Sequence, residues 1–166
     1  NMKKIAILFL SSFFAIAGIS QKQIDDANAE VRSVESFHGI KSSSGITVYL
    51  VQGDQESVVV SANDVKHRNK INTVVKNGVL NIYYDNDDWK LWQVGNGRKL
   101  RAYVSVKDID LIDVASGSDV KIEGTIKTNN IKLDISSGAS LKGSIEATNM
   151  KVDVSSGAVI ILSGSV

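Results

Sequence analysis

Hydrophobic and polar residues alternate at period two through most of the chain after residue 34, and the same alternation returns three times in its second half. Ile131-Lys-Leu-Asp-Ile135 and Met150-Lys-Val-Asp-Val154 place apolar side chains on one face and charged ones on the other, as a half-buried strand requires. Each run leads into a near-identical corner: Asp113-Val-Ala-Ser-Gly117, Asp134-Ile-Ser-Ser-Gly138 and Asp153-Val-Ser-Ser-Gly157, spaced 21 and then 19 residues apart. Beyond each corner, Val120, Leu141 and Ile160 hold equivalent positions, followed by Gly124, Gly143 and Gly164. A repeat of about 20 residues is the mark of windings that stack on one another. The pattern therefore predicts an all-β chain folded as a single-stranded parallel β-helix, or β-solenoid, with Val120, Leu141 and Ile160 in a common interior.

The corners suit that expectation. Gly117, Gly138 and Gly157 stand where a chain leaving a strand must turn, and glycine reaches positive φ there without steric cost. Asn130 and Asn149 precede the repeated strand at matching positions and are expected to bond local backbone or each other between windings. The outward face carries Lys132 and Asp134, then Lys151 and Asp153, with Asp113 one winding earlier. Stacked carboxylates repel unless lysines or a cation offset them. Pairing with the lysine two residues away is the expected solution, and a calcium site is the alternative.

The first half is less regular. Ile46, Val48 and Leu50 alternate after a Ser44-Gly45 that resembles the later corners. Residues 63–70 read as a short helical connector capped by Asn63. Asn77-Gly78, between Ile71–Val75 and Val79–Tyr84, is a strong hairpin signal. The chain stops at Val166, the position equivalent to Ile126 and Ile145, so the last winding is expected to be truncated and the chain to be a piece of a longer reading frame.

The N-terminus changes the cellular picture. Lys3 and Lys4 precede an apolar run ending in Ala17-Gly-Ile-Ser20, so residues 1–20 read as a signal peptide, and that run is shorter than the ~20 residues a spanning helix needs. No stable membrane span is expected after cleavage. Residues 21–33 form a polar spacer and residues 34–166 the β-helical domain. The chain has no cysteine, which excludes disulfides and a lipidated cysteine. Loss of the leader leaves 17 basic against 18 acidic side chains, so bulk charge directs nothing toward nucleic acid. An exported protein of the periplasm, cell surface or extracellular space is expected.

Candidate chemistry is sparse. The segment from Asp85 to Lys99 holds both tryptophans of the chain. Trp89 and Trp92, with Asp85, Asp87 and Asp88, form the candidate ligand-binding set: aromatic faces for sugar rings, carboxylates for hydroxyls. The alternative is that the tryptophans cover an open flank of the sheet. His38 and His67 have no second histidine or carboxylate at ligand spacing, so they read as surface or turn residues. No serine sits in a Gly-x-Ser-x-Gly elbow. No catalytic residue, metal or cofactor is expected.

In their order, Phe37-x-x-Ile40, Gly45-Ile-x-Val48, Val51-Gln-Gly-Asp54, Asn77-Gly-x-Leu80, Val104-x-Val106 and the Ser-Gly corners resemble the bacterial family called putative auto-transporter adhesin, head GIN domain. The resemblance runs from about Val34 to the end. It implies an exported β-helical domain of the kind common in Bacteroidetes, without an established activity and without site residues to carry over. The leading expectation is a noncatalytic module that binds a glycan or an envelope protein. A structural envelope module is the second reading. A polysaccharide-active enzyme is the third, and it rests on fold analogy alone.

Overall fold

The computed structural model describes residues 26–85 and 97–166. The residues read above as a signal peptide and most of the segment holding the tryptophans lie outside the described residues.

The buried alternation lies where the sequence puts it. In β3 (Thr47–Gln52), Val48 and Leu50 point inward, and in β9 (Asp119–Ile135) Val120, Ile126, Leu133 and Ile135 do the same. Burying such side chains contributes ~1.5–3 kcal/mol each, enough to fix which face of every strand turns inward.

The fold class differs from expectation. A single-stranded parallel β-helix would stack its strands in chain order with parallel pairing throughout. The structure is one eleven-stranded sheet that mixes parallel and antiparallel pairs and curls into a nearly closed, barrel-shaped wall. β2 (Gly39–Ser42) pairs in parallel with β6 (Val79–Tyr84) on one side and β8 (Leu111–Val114) on the other. β3 lies likewise between β7 (Arg101–Val106) and β9. The winding formed by residues 39–52 is thus inserted between two windings that follow it in sequence.

The antiparallel part comes from the intervening chain. β5 (Ile71–Lys76) folds back on β6 through Asn77-Gly78, both with positive φ, and β4 (Ser57–Ser61) runs antiparallel to β7. β1 (Glu30–Arg32), in the stretch expected to be a polar spacer, adds an antiparallel edge to β4. Between β4 and β5 sits a single helical turn, α1 (Val65–Arg68), capped by Asp64, whose Oδ1 accepts from Lys66 N at 2.8 Å. The cap is one residue later than Asn63, because the carboxylate rather than the amide meets the free N–H groups of the first turn.

Within the mixed sheet the repeated stretches pair in parallel. β10 (Ser140–Val154) runs beside β9 and beside β11 (Val159–Ser165), with Leu141 opposite both Val120 and Ile160. The 21-versus-19 spacing has a local cause. Lys121 and Thr125 in β9 face Lys142 and Ser144 in β10, so the two additional residues of β9 bulge out of the ladder. A Cβ on Gly143 would come 2.4 Å from the Ile122 Cβ, which leaves only glycine room opposite the bulge. Burial fades along the columns: Leu133 is fully buried, whereas Val152, its register partner in β10, is 48% exposed.

Candidate binding surface

Each Ser-Gly corner is a two-residue turn with both central residues at positive φ. Ser116, Ser137 and Ser156 have φ of 52°, 52° and 53°, and the following glycines 68°, 70° and 74°. The turns close through Ser118 N to Ala115 O, Ala139 N to Ser136 O and Ala158 N to Ser155 O, each 3.1 Å. That is the type I′ pattern, whose twist matches the flanking strands. The turns also bond one another: Gly45 N donates to Ser116 O, Gly117 N to Ser137 O and Gly138 N to Ser156 O, at 3.0–3.1 Å. Gly117, Gly138 and Gly157 therefore lie along one rib of the wall. β6 and β7 are joined by a longer stretch of chain than this turn, most of it outside the described residues.

Asn130 and Asn149 are exposed register partners, and Asn149 Nδ2 donates to Asn130 Oδ1 at 3.0 Å. Along the next outward columns, Lys132 faces Lys151, and Asp113, Asp134 and Asp153 follow one another. Lys41 Nζ lies 2.8 Å from Asp113 Oδ2, and Lys132 Nζ 3.6 Å from Asp134 Oδ2. Among the described residues no group of three or more His, Asp or Glu gathers into a metal-binding cluster.

The predicted ligand set is only partly described. Asp85 is exposed, and its N–H donates to Lys70 O at 2.8 Å. Trp89, Trp92, Asp87 and Asp88 lie outside the described residues. Tyr84 and Arg98, which flank that segment in sequence, meet beside His67. The His67 Nδ1 lies 2.9 Å from the buried Tyr84 hydroxyl, and the Arg98 guanidinium sits over the Tyr84 ring at 4.8 Å. Desolvation, aided by Arg98 and Lys66, pushes the His67 imidazole below its usual pKa.

Three polar arrangements escaped the sequence reading. His38, read there as partnerless, has its Nδ1 2.7 Å from Asp110 Oδ1. Tyr49 stacks on Tyr103 with centroids 5.2 Å apart, and the Lys121 ammonium lies 5.5 Å from the Tyr49 centroid. Asp26 takes a hydrogen bond from Ser61 Oγ at 2.6 Å and an ion pair from Arg101 at 3.0 Å, which fastens the start of the described chain to β4 and β7. The Ser61 bond, with the Asn28 N–H and Arg101, outweighs burial and holds the Asp26 carboxyl below the usual carboxylate range. A signal for the first of these existed. His38 and Asp110 are 72 residues apart, as are Lys41 and Asp113, so the offset between the Ser44-Gly45 and Ser116-Gly117 corners brings both pairs together.

These features define an all-β domain of stacked strands that displays polar side chains in columns. The chain belongs to the family described as putative auto-transporter adhesin, head GIN domain, whose model matches residues 36–166. Solved structures share the fold. A putative adhesin from Parabacteroides distasonis superposes with a TM-score of 0.71 at 18% identity, over 81% of this chain and 55% of that one. A putative adhesin from Bacteroides fragilis gives 0.64 at 19% identity, over 81% and 60%. A putative lipid binding protein from Parabacteroides distasonis gives 0.56 at 16% identity, over 83% and 67%. The chain thus spans little more than half the length of the two adhesin structures. No curated protein matches it. Among the described residues no helix is long and apolar enough to cross a membrane.

Proposed function

We propose that this chain is a noncatalytic binding module, exported to the bacterial envelope or surface, that holds a glycan or an envelope protein on the outer wall of its sheet. The observation that carries the reading is the in-register display. Parallel pairing repeats the same polar side chains at ~4.8 Å intervals on a backbone fixed by the turn rib, which suits an extended partner contacted at several points. Family membership supports an adhesion role, and the leader-like residues 1–20 support export. The test is the purified chain immobilised against a glycan array and envelope extracts, with a parallel assay for polysaccharide cleavage. Saturable binding without turnover is expected. Cleavage of a saccharide, or no saturable binding to any of these, overturns the reading.

A structural role is favoured by a separate observation. Val152 and Val154 occupy inward columns, as register partners of the buried Leu133 and Ile135, yet are 48% and 45% exposed. Such a face suits packing against another module.

A further inference from the structure

A groove of about 530 Å³ crosses the outer wall where β8, β9 and β10 lie side by side, with Asp110 at one end and Lys151 at the other. Its lining is apolar at Leu111 and Met150, both partly buried. Its rim is polar, and the existing hydrogen bonds decide which valences face outward.

Asn149 Nδ2 donates to Asn130 Oδ1, so the Asn130 amide N–H groups and the Asn149 carbonyl oxygen are left for a ligand. Asp110 engages His38 through Oδ1 and keeps Oδ2 as an acceptor. Lys151 has no ion pair among the described residues, whereas Lys132 shares its charge with Asp134 at 3.6 Å. The rim therefore offers two donors, Asn130 Nδ2 and Lys151 Nζ, and two acceptors, Asn149 Oδ1 and Asp110 Oδ2, beside these apolar side chains.

A hydroxyl both donates and accepts, and a sugar ring also presents an apolar C–H face, so a saccharide satisfies both layers of the groove. A polyanion fits poorly, because Asp110 borders the groove and the Asp134 and Asp153 carboxylates stand in the neighbouring column. A purely apolar partner would strand the rim groups without hydrogen bonds. We propose that this groove binds an uncharged, linear glycan laid across successive windings, with Asn130 and Asn149 as its principal hydrogen-bonding pair. The inference rests on the binding reading above and gives it a site and a ligand class.

The test uses the full chain and uncharged hexasaccharides of β-linked glucose, β-linked N-acetylglucosamine and α-linked mannose, with oligogalacturonate as the acidic comparison. Calorimetry measures affinity, and NMR follows the side-chain amides of Asn130 and Asn149. At least one uncharged probe is expected to bind and to shift both amides. Replacing Asn130 and Asn149 together by Ala removes about two net hydrogen bonds and should weaken that binding roughly tenfold. Both side chains are exposed, so the variant is expected to stay folded, with its circular dichroism unchanged, and Lys142→Ala should bind as the parent does. Binding that ignores the double substitution, preference for the acidic probe, or failure of all three uncharged probes overturns the proposal. If the double variant still captures its envelope or array partner, only the groove assignment falls. If the unaltered chain captures nothing, the binding reading falls with it.

Discussion

Leu133 and Val152 hold the same register position on adjacent strands, yet one is sealed and the other half open, so truncating each to alanine separates register from burial. Leu133 lies between Ile112 and Val152, and both it and Ile112 are fully buried. Leu133→Ala removes its transfer free energy and leaves a cavity the neighbouring strands close only in part, a cost of about 3 kcal/mol. Val152→Ala removes two methyl groups worth ~0.8 kcal/mol each if fully buried. With Val152 48% exposed, about half of that survives, or ~0.8 kcal/mol. The two variants should therefore differ by about 2 kcal/mol. Urea unfolding followed by far-ultraviolet circular dichroism measures this, provided the slope is unchanged between variants. In heat the losses correspond to roughly 9 °C and 2 °C. Equal losses, or a larger loss for Val152→Ala, would refute the burial gradient along the column.

Three further outcomes follow from single contacts. Gly138→Ala meets no atom within 4 Å but must hold φ of +70°, so it should cost about 1 kcal/mol by thermal melt, while Gly78→Ala, whose Cβ would come 2.4 Å from His38 Nε2, should cost more. Asp26 has its folded pKa below the ordinary carboxylate value, so its bonds to Ser61 and Arg101 contribute stability that is fully present above that ordinary value and is lost as pH falls through the folded pKa; Asp26→Asn should flatten the acid end of a stability-versus-pH curve. His67 is shifted below 6.5, so the unfolded chain binds its proton more readily and stability should rise as pH climbs toward 6.5. His67→Gln should remove that slope, and an unaltered slope would show that the imidazole beside Tyr84 and Arg98 is not its source.

The inward positions were legible in the sequence because period-two alternation encodes a strand's buried face directly. Val120, Leu133 and Leu141 are all buried, and the spacing of the Ser-Gly corners reflects a real pairing of β9, β10 and β11. What alternation does not encode is which strand lies beside which. β2 and β3 lie between strands that all follow them in sequence, and nothing in their own residues states that order. The antiparallel strands were signalled only at Asn77-Gly78; β4 and β1 pair antiparallel without any turn to announce it. The outward chemistry was harder to read for the same reason. Tyr49 and Tyr103 meet only because β3 and β7 are neighbours, and His38 finds Asp110 only through the 72-residue offset. Asn130 and Asn149 were visible because they fall inside the regular repeat.

The interleaved order is most directly tested by cross-linking in a chain that has no cysteine of its own. Tyr49 is opposite both Tyr103 and Lys121, so it separates those two by a full strand. Register partners on adjacent strands lie ~4.8 Å apart, inside the Cα range a disulfide spans, whereas residues two strands apart lie ~9.6 Å apart, outside it. Oxidation of the double variant Tyr49→Cys, Lys121→Cys should yield an intramolecular disulfide detectable by mass spectrometry, and Tyr103→Cys, Lys121→Cys should not. Efficient closure of the second pair with failure of the first would contradict the placement of residues 39–52 between their neighbours.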